Sequence, residues 1–62
     1  MTEYEYLVKE FKEQIDLNIQ ALAAGRPQNI EEYRQIVGTI RGLEFAIQTV
    51  KDLVHRMENS DE

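Results

Sequence analysis

Apolar residues recur every three or four positions along the first third of the chain, the spacing typical of one face of an α-helix. Thr2 and Glu5 form the S/T-x-x-E pattern of a capping box, and neither Gly nor Pro interrupts the following residues. We therefore predict a first helix over about residues 2–24. Its apolar face consists of Tyr4, Leu7, Val8, Phe11, Ile15, Asn18, Ile19 and Leu22.

A second periodic segment alternates apolar spacings of three and four without a break, which is typical of a coiled-coil-like seam. Asn29 and Glu32 form a second capping box at its start. These features predict a second helix over about residues 30–57, followed by a tail over 58–62 that should fray because it lacks apolar residues. The seam consists of Tyr33, Ile36, Ile40, Leu43, Ile47, Val50, Val54 and Met57.

The segment between the helices contains strong helix-ending residues. Gly25 suits the left-handed position after a helix end, and Pro27 prevents the helix from continuing. A turn over 25–29 leaves so few connecting residues that the second helix must fold back. The sequence predicts one all-α domain over 1–62, an antiparallel two-helix hairpin.

The second helix also carries a second non-polar strip beside or opposite the seam, which we call the glycine strip. It consists of Gly38, Gly42, Phe45, Ala46, Thr49 and Leu53. The first helix has a weaker non-polar shoulder made of Tyr6, Leu17, Ala21 and Ala24. One hairpin has too little surface to bury both, so we predict self-association of the hairpin into a four-helix bundle or larger helical oligomer.

The two glycines of the strip allow a second explanation. Glycine inside a helix costs about 1 kcal/mol relative to alanine, so two of them indicate a packing requirement. Gly38 and Gly42 could accommodate Phe11 or Ile15 of the first helix within a single hairpin. Contact between two copies is favoured, because Phe45 and Leu53 would otherwise face water.

Composition narrows the classes of function. A 62-residue chain is near the lower size limit for independent folding, and without cysteine it has no disulfide to stabilise it. A single His and no Cys exclude a Cys/His zinc site. The net charge of −5 opposes binding to phosphate backbones and anionic lipid. The longest apolar run spans residues 21–24 and the first residues are acidic, so neither a membrane span nor a secretory signal is expected.

Few residues could support catalysis or metal binding. Asp52-x-x-His55 resembles the carboxylate-x-x-His pairs of di-iron bundles, but both residues lie on the polar side of the helix, where a solvated pair is expected. The hydroxyls of Thr39 and Thr49 have no base at helical spacing, and Ser60 lies in the predicted tail. We therefore predict no enzymatic activity, no catalytic residue, no cofactor and no metal.

A column of basic and polar residues repeats every seven positions on the outer side of the second helix. It consists of Arg34, Arg41, Gln48 and His55. The arrangement resembles the plasmid regulator Rop, a dimer of helical hairpins that binds RNA, although only the architecture is similar. Glu44 and Asp52 lie between these residues, so a solvated face is favoured over an RNA-binding one.

Tyrosine and arginine, the residue types that often anchor partner contacts, cluster near the turn. The candidate partner or ligand surface consists of Arg26, Tyr33, Arg34 and Arg41. In the alternative, Tyr33 covers the end of the seam and the arginines are only solvated. Asn18 occupies a seam position of the first helix, where an amide often sets register and oligomeric state.

Residues 23–26 and 32–44, with the sequence EYRQIVGTIRGLE in the second segment, resemble short helical-hairpin proteins of tailed phages. The resemblance is confined to the span 23–44 and implies a phage accessory protein made in a host bacterial cytoplasm. A structural or assembly protein of the virion is the favoured function. The alternative is an inhibitor that binds a host protein or defence system, or sequesters a small ligand in an oligomer groove. An RNA-binding hairpin is the third possibility.

Overall fold

The computed structural model describes residues 2–59, which form two helices packed against each other. Helix α1 spans Glu3–Ala23 and helix α2 spans Ile30–Asn59. At the open end of the hairpin the Tyr4 hydroxyl donates a hydrogen bond of 3.1 Å to the Met57 sulfur, so the start of α1 lies beside the end of α2. The predicted antiparallel two-helix hairpin is confirmed.

Helix α1 begins and ends with the predicted signals. Thr2 is the N-cap residue, and its hydroxyl oxygen accepts a 3.1 Å hydrogen bond from the Glu5 amide. Gly25 follows the last turn with a φ of 73°. The Gly25 amide donates to the Leu22 carbonyl and the Arg26 amide donates to the Ala21 carbonyl, both at 3.1 Å, which is the Schellman pattern of helix termination.

Helix α2 begins with a capping box in which one of the two hydrogen bonds is shifted by one residue. The Asn29 side-chain oxygen accepts from the Glu32 amide at 2.9 Å, as predicted. The Glu32 carboxylate accepts from the Gln28 amide at 2.8 Å, one residue before the cap. At its other end α2 continues two residues past the predicted end, through Asn59. The rest of the predicted frayed tail, residues 60–62, lies outside the described residues.

The two helices meet along the predicted seam. Within residues 2–59 only Ile47 is buried, with 8% of its surface exposed. Leu7 and Ile19 of the predicted apolar face of α1 lie more in solvent than the other members, and Tyr33 and Met57 are exposed near the two ends of α2. The half-buried seam residues are Tyr4, Val8, Phe11, Ile15, Asn18, Leu22, Ile36, Ile40, Leu43, Val50 and Val54.

The hairpin is a single layer of helices. Its Cα atoms extend 52 × 21 × 11 Å, so the shortest dimension is close to the diameter of one helix, about 10–12 Å. The radius of gyration is 14.9 Å, whereas a compact domain of this length would have roughly 11 Å. Each broad side of the layer is therefore open to solvent or to another molecule.

Candidate functional site

Five of the six residues of the glycine strip of α2 are exposed. Phe45 is 75% exposed and Leu53 is 49% exposed, whereas Ala46 is half-buried. Exposed apolar side chains that lie together on one strip are a common mark of an interaction site. The strip therefore remains the first candidate for an interaction site on α2.

The glycines of the strip face open space within the hairpin. A Cβ atom placed on Gly38 or Gly42 would meet no atom within 4 Å outside the local helix backbone. Helix α1 therefore does not approach either glycine. This excludes the alternative in which the glycines accommodate Phe11 or Ile15 within one hairpin.

The hydroxyls of Thr49, in the glycine strip, and of Thr39 both donate hydrogen bonds to backbone carbonyls of α2. Thr49 Oγ1 donates to the Phe45 carbonyl at 2.9 Å, and Thr39 Oγ1 donates to the Gln35 carbonyl at 3.0 Å. Neither bond brings the hydroxyl to an imidazole or carboxylate. Both side chains therefore act as neutral, hydrogen-bonded surface groups.

Asp52 and His55, the predicted carboxylate and imidazole pair, each have a different side chain as hydrogen-bond partner. Gln48 Nε2 donates to Asp52 Oδ1 at 3.0 Å, and the His55 Nε2 lies 3.0 Å from Asn59 Nδ2. Within residues 2–59 no group of three or more His, Cys, Asp or Glu side chains is placed to hold a metal ion.

The four residues of the candidate partner surface are all exposed. Tyr33 is 48% exposed and does not close the end of the seam completely. Its amide donates to the Asn29 carbonyl at 3.1 Å, so its backbone belongs to the first turn of α2. Arg26, Arg34 and Arg41 are exposed as well, and none of the four lines the groove that runs between the helices near the open end of the hairpin.

That groove was not predicted from the sequence. It has a volume of about 870 Å³ and lies between the helices near the open end of the hairpin. Its apolar lining includes Val8, Val50, Val54 and Met57, and its charged lining includes Glu5, Lys9, Lys12, Glu13, Asp16, Lys51 and Glu58. The signal in the sequence is the charged positions that directly follow seam residues on both helices.

Asn18 lies half-buried at the seam, as its position predicted, but its amide bonds within its own helix. Asn18 Nδ2 donates to the Gln14 carbonyl at 2.7 Å. No described hydrogen bond joins it to α2, so a role in register would have to arise in contact with a further molecule.

Within residues 2–59, neither helix contains an apolar stretch that would span a lipid bilayer. No known sequence family, curated protein or solved structure matches the chain.

Proposed function

We propose that the protein is a small non-enzymatic accessory protein that acts through protein–protein contacts, first with copies of itself and then with components of a phage virion during assembly. The observation that carries this proposal is the exposed glycine strip, in which Phe45 and Leu53 lie beside two glycines with open space above them. Such a surface offers close, apolar contact and no reactive group.

The small core supports self-association. Ile47 alone is buried within residues 2–59, and no side chain of the described part is fully buried. A two-helix hairpin with so little buried apolar surface gains little stability by itself, whereas a four-helix bundle buries the inner sides of all its helices. We therefore propose that the hairpin assembles into a four-helix bundle or a larger helical oligomer.

The polar side chains support a non-enzymatic role. The hydroxyls of Thr39 and Thr49 are bonded to backbone carbonyls, and Asp52 and His55 have separate partners. A nucleophile needs a base within hydrogen-bond reach, and these four groups provide no such pair. Contact, rather than chemistry, is the activity that these side chains support.

The proposal of a virion role rests on the resemblance of residues 23–26 and 32–44 to short tailed-phage hairpins. It would place the protein in the host bacterial cytoplasm during assembly, with a share of it bound to particles. The test is a phage that carries the gene with Phe45→Lys, compared with Gln48→Lys on the polar side of the same helix.

We expect mass spectrometry of purified particles to detect the wild-type chain and the Gln48→Lys chain, and to show strong depletion of the Phe45→Lys chain. Deleting the gene should reduce the yield of complete particles. A chain absent from wild-type particles, together with a normal yield after deletion, would overturn the virion role.

A second candidate function is inhibition of a host protein or defence system, by binding it or by sequestering a small ligand. The groove of about 870 Å³ favours this candidate, because its size lies within the range of small-molecule sites and its lining combines valines with charged groups. Substituting Lys51→Glu would reverse a charge in the lining of the groove at an exposed position outside the seam. If the protein is an inhibitor, this variant should lose binding to the purified host target while virion yield stays normal.

A further inference from the structure

The two sides of the helix seam differ sharply in charge. On one side, Glu32 in the first turn of α2 is the one charged residue among the seven positions directly beside the seam, and its carboxylate accepts from the Gln28 amide. The other six positions are uncharged: Leu7, Gln14, Ala21, Thr39, Ala46 and Leu53. We call this set the uncharged face. On the other side, five of the seven corresponding positions are charged, and the set is Glu5, Lys12, Ile19, Val37, Glu44, Lys51 and Glu58. We call this set the charged face.

The structure places the charged positions of the two helices together. Glu5 and Lys12 of α1 line the same groove as Lys51 and Glu58 of α2. In antiparallel helices that meet along one seam, equivalent flanking positions of both helices lie on the same broad side of the hairpin. The charged face is therefore one broad side of the layer, and the uncharged face is the other.

The polar groups near the uncharged face are already hydrogen-bonded within their helices. Thr39 donates to the Gln35 carbonyl at 3.0 Å, and Asn18 at the adjoining seam position donates to the Gln14 carbonyl at 2.7 Å. Covering these donors costs little, because they keep their partners when water is removed. Leu7 and Leu53, in contrast, are large apolar side chains that remain 41% and 49% exposed.

The exposed surface of the chain has the size that a dimer requires. The accessible surface is 5180 Å², whereas a compact monomer of this mass would expose roughly 4,200 Å². The excess is about 1,000 Å², and a standard protein interface buries about 800 Å² on each partner. One further copy of the hairpin is enough to cover this excess.

We propose that two copies of this chain stack through their uncharged faces and form a homodimeric four-helix bundle, with the charged faces and their grooves on the outside. This inference rests on the self-association proposed above and specifies its stoichiometry and its surface. Because the shortest extent of the hairpin is 11 Å, two stacked hairpins give the two-layer arrangement that most domains have. Gly42 and Ala46, one turn apart, allow the neighbouring copy to approach α2 closely.

The proposed dimer leaves Phe45 at its rim. Phe45 lies farther from the seam than Ala46 and Leu53, on the outer edge of α2. Stacking through the uncharged faces covers Leu53 and does not require contact at Phe45. In the proposed dimer the Phe45 ring therefore stays exposed and can contact a further partner.

The test compares two variants that add one negative charge to the same helix. Leu53→Glu places a carboxylate on the uncharged face, and His55→Glu places one on the polar side two residues later. Sedimentation equilibrium of the wild type at pH 7.5 should give twice the 7.3 kDa chain mass at micromolar concentration. We expect Leu53→Glu to raise the dimer dissociation constant by at least about tenfold, because an unpaired charge is costly in an interface, and His55→Glu to leave it nearly unchanged.

A second measurement does not depend on a destabilising substitution. The natural chain has no cysteine, so single thiols can be placed at will. Thr39→Cys lies on the uncharged face and Gln48→Cys lies on the polar side, and both wild-type residues are exposed in the single hairpin. The thiol of Thr39→Cys should react slowly with a thiol reagent at high protein concentration and rapidly after dilution, whereas Gln48→Cys should react rapidly at both concentrations.

The outcomes separate this inference from the proposed self-association. A wild-type chain that stays monomeric and folded would overturn both. If the wild-type chain associates but Leu53→Glu has the same dissociation constant, only the uncharged face as the interface is overturned. The same holds if the chain associates but the thiol of Thr39→Cys reacts rapidly at high protein concentration. A stable assembly larger than a dimer would likewise overturn the stoichiometry and leave self-association intact.

Discussion

The three glycines of the chain occupy two different conformational environments. Gly25 has a φ of 73°, which L-residues with a Cβ adopt at a cost, and it ends α1. Gly38 and Gly42 lie inside α2 in the ordinary right-handed conformation and face open space. The backbone therefore requires glycine only at position 25. At positions 38 and 42 the proposed contact with a neighbouring molecule would supply a reason for glycine.

Replacing Gly25 should destabilise the hairpin through the backbone alone. In Gly25→Ala the new Cβ meets nothing within 4 Å, so the expected cost is that of the left-handed conformation, about 1–2 kcal/mol. In a domain of this size each kcal/mol lowers the melting temperature by roughly 4–8 °C. Thermal melts followed by circular dichroism should show this loss for Gly25→Ala and a smaller one for Gly25→Asn, because Asn tolerates the conformation better. Equal stability of Gly25→Ala and wild type would contradict the prediction.

Substituting Gly42 tests whether another copy approaches α2. Gly42→Leu gains up to about 1 kcal/mol of helix propensity, whereas overpacking at a close contact typically costs about 1–3 kcal/mol. We therefore expect a lower melting temperature that recovers as the protein concentration rises. Arg41→Leu adds the same side chain one position away, on the polar side, and should melt close to the wild-type temperature at each concentration. A higher melting temperature for Gly42→Leu with unchanged mass would show that no backbone lies close to Gly42.

At the scale of elements, both helices begin at a residue whose side chain replaces a missing backbone partner. Thr2 accepts from the Glu5 amide, and Asn29 accepts from the Glu32 amide. The second cap has an additional arm, because the Glu32 carboxylate also holds the Gln28 amide in the turn. The end of the turn and the start of α2 are therefore joined by two side-chain hydrogen bonds.

Removing the cap of α2 should lower stability by about 1 kcal/mol, the usual cost of replacing Asn with Ala at an N-cap. Urea unfolding of Asn29→Ala at fixed protein concentration should show this loss as a lower midpoint with an unchanged slope. Asn29→Ser keeps an oxygen that can accept from the Glu32 amide and should recover most of the stability. If the serine variant is as unstable as the alanine variant, the cap hydrogen bond is not the cause.

At the scale of the whole molecule, the hairpin is long and only one helix thick. It is 52 Å long and 11 Å through its shortest extent, and Ile47 is its one buried residue within the described part. Two helices of this kind supply one layer of a domain, and most domains bury their core between two layers. The stability of the fold should therefore depend on assembly.

Folding and assembly should consequently be coupled. When subunits bind only in the folded state, the melting temperature rises with protein concentration. We expect the wild-type melting temperature to increase measurably over a hundredfold range of concentration, as followed by circular dichroism. A melting temperature independent of concentration, with a cooperative transition, would show that the single hairpin is stable alone.

The centre of the seam should be the most sensitive position. Ile47→Ala truncates the one buried side chain of residues 2–59, and such core truncations cost about 2–5 kcal/mol. We expect loss of most helical signal at low micromolar concentration. Val37→Ala, near the turn and only half-buried, is the milder comparison and should retain the folded signal. Comparable melts for both variants would contradict the central role of Ile47.

The local features of this protein were predictable because their causes lie within a few residues. Spacing of three and four predicts which side of each helix is apolar, and a capping side chain reaches an amide only three positions away. The helices, the left-handed Gly25 and the half-buried seam follow from such short-range rules. Their order along the chain, with a short turn, is sufficient to predict the antiparallel hairpin.

The remaining features depend on how two distant segments lie side by side. The groove between Glu5, Lys12, Lys51 and Glu58 exists only because the first and last turns of the hairpin are neighbours, with Tyr4 bonded to Met57 across them. The sequence alone also left open whether α1 covers Gly38 and Gly42. Tertiary packing decided that it does not, because the two helix axes and one seam determine which side chains α1 can reach, and the glycines lie beyond that reach.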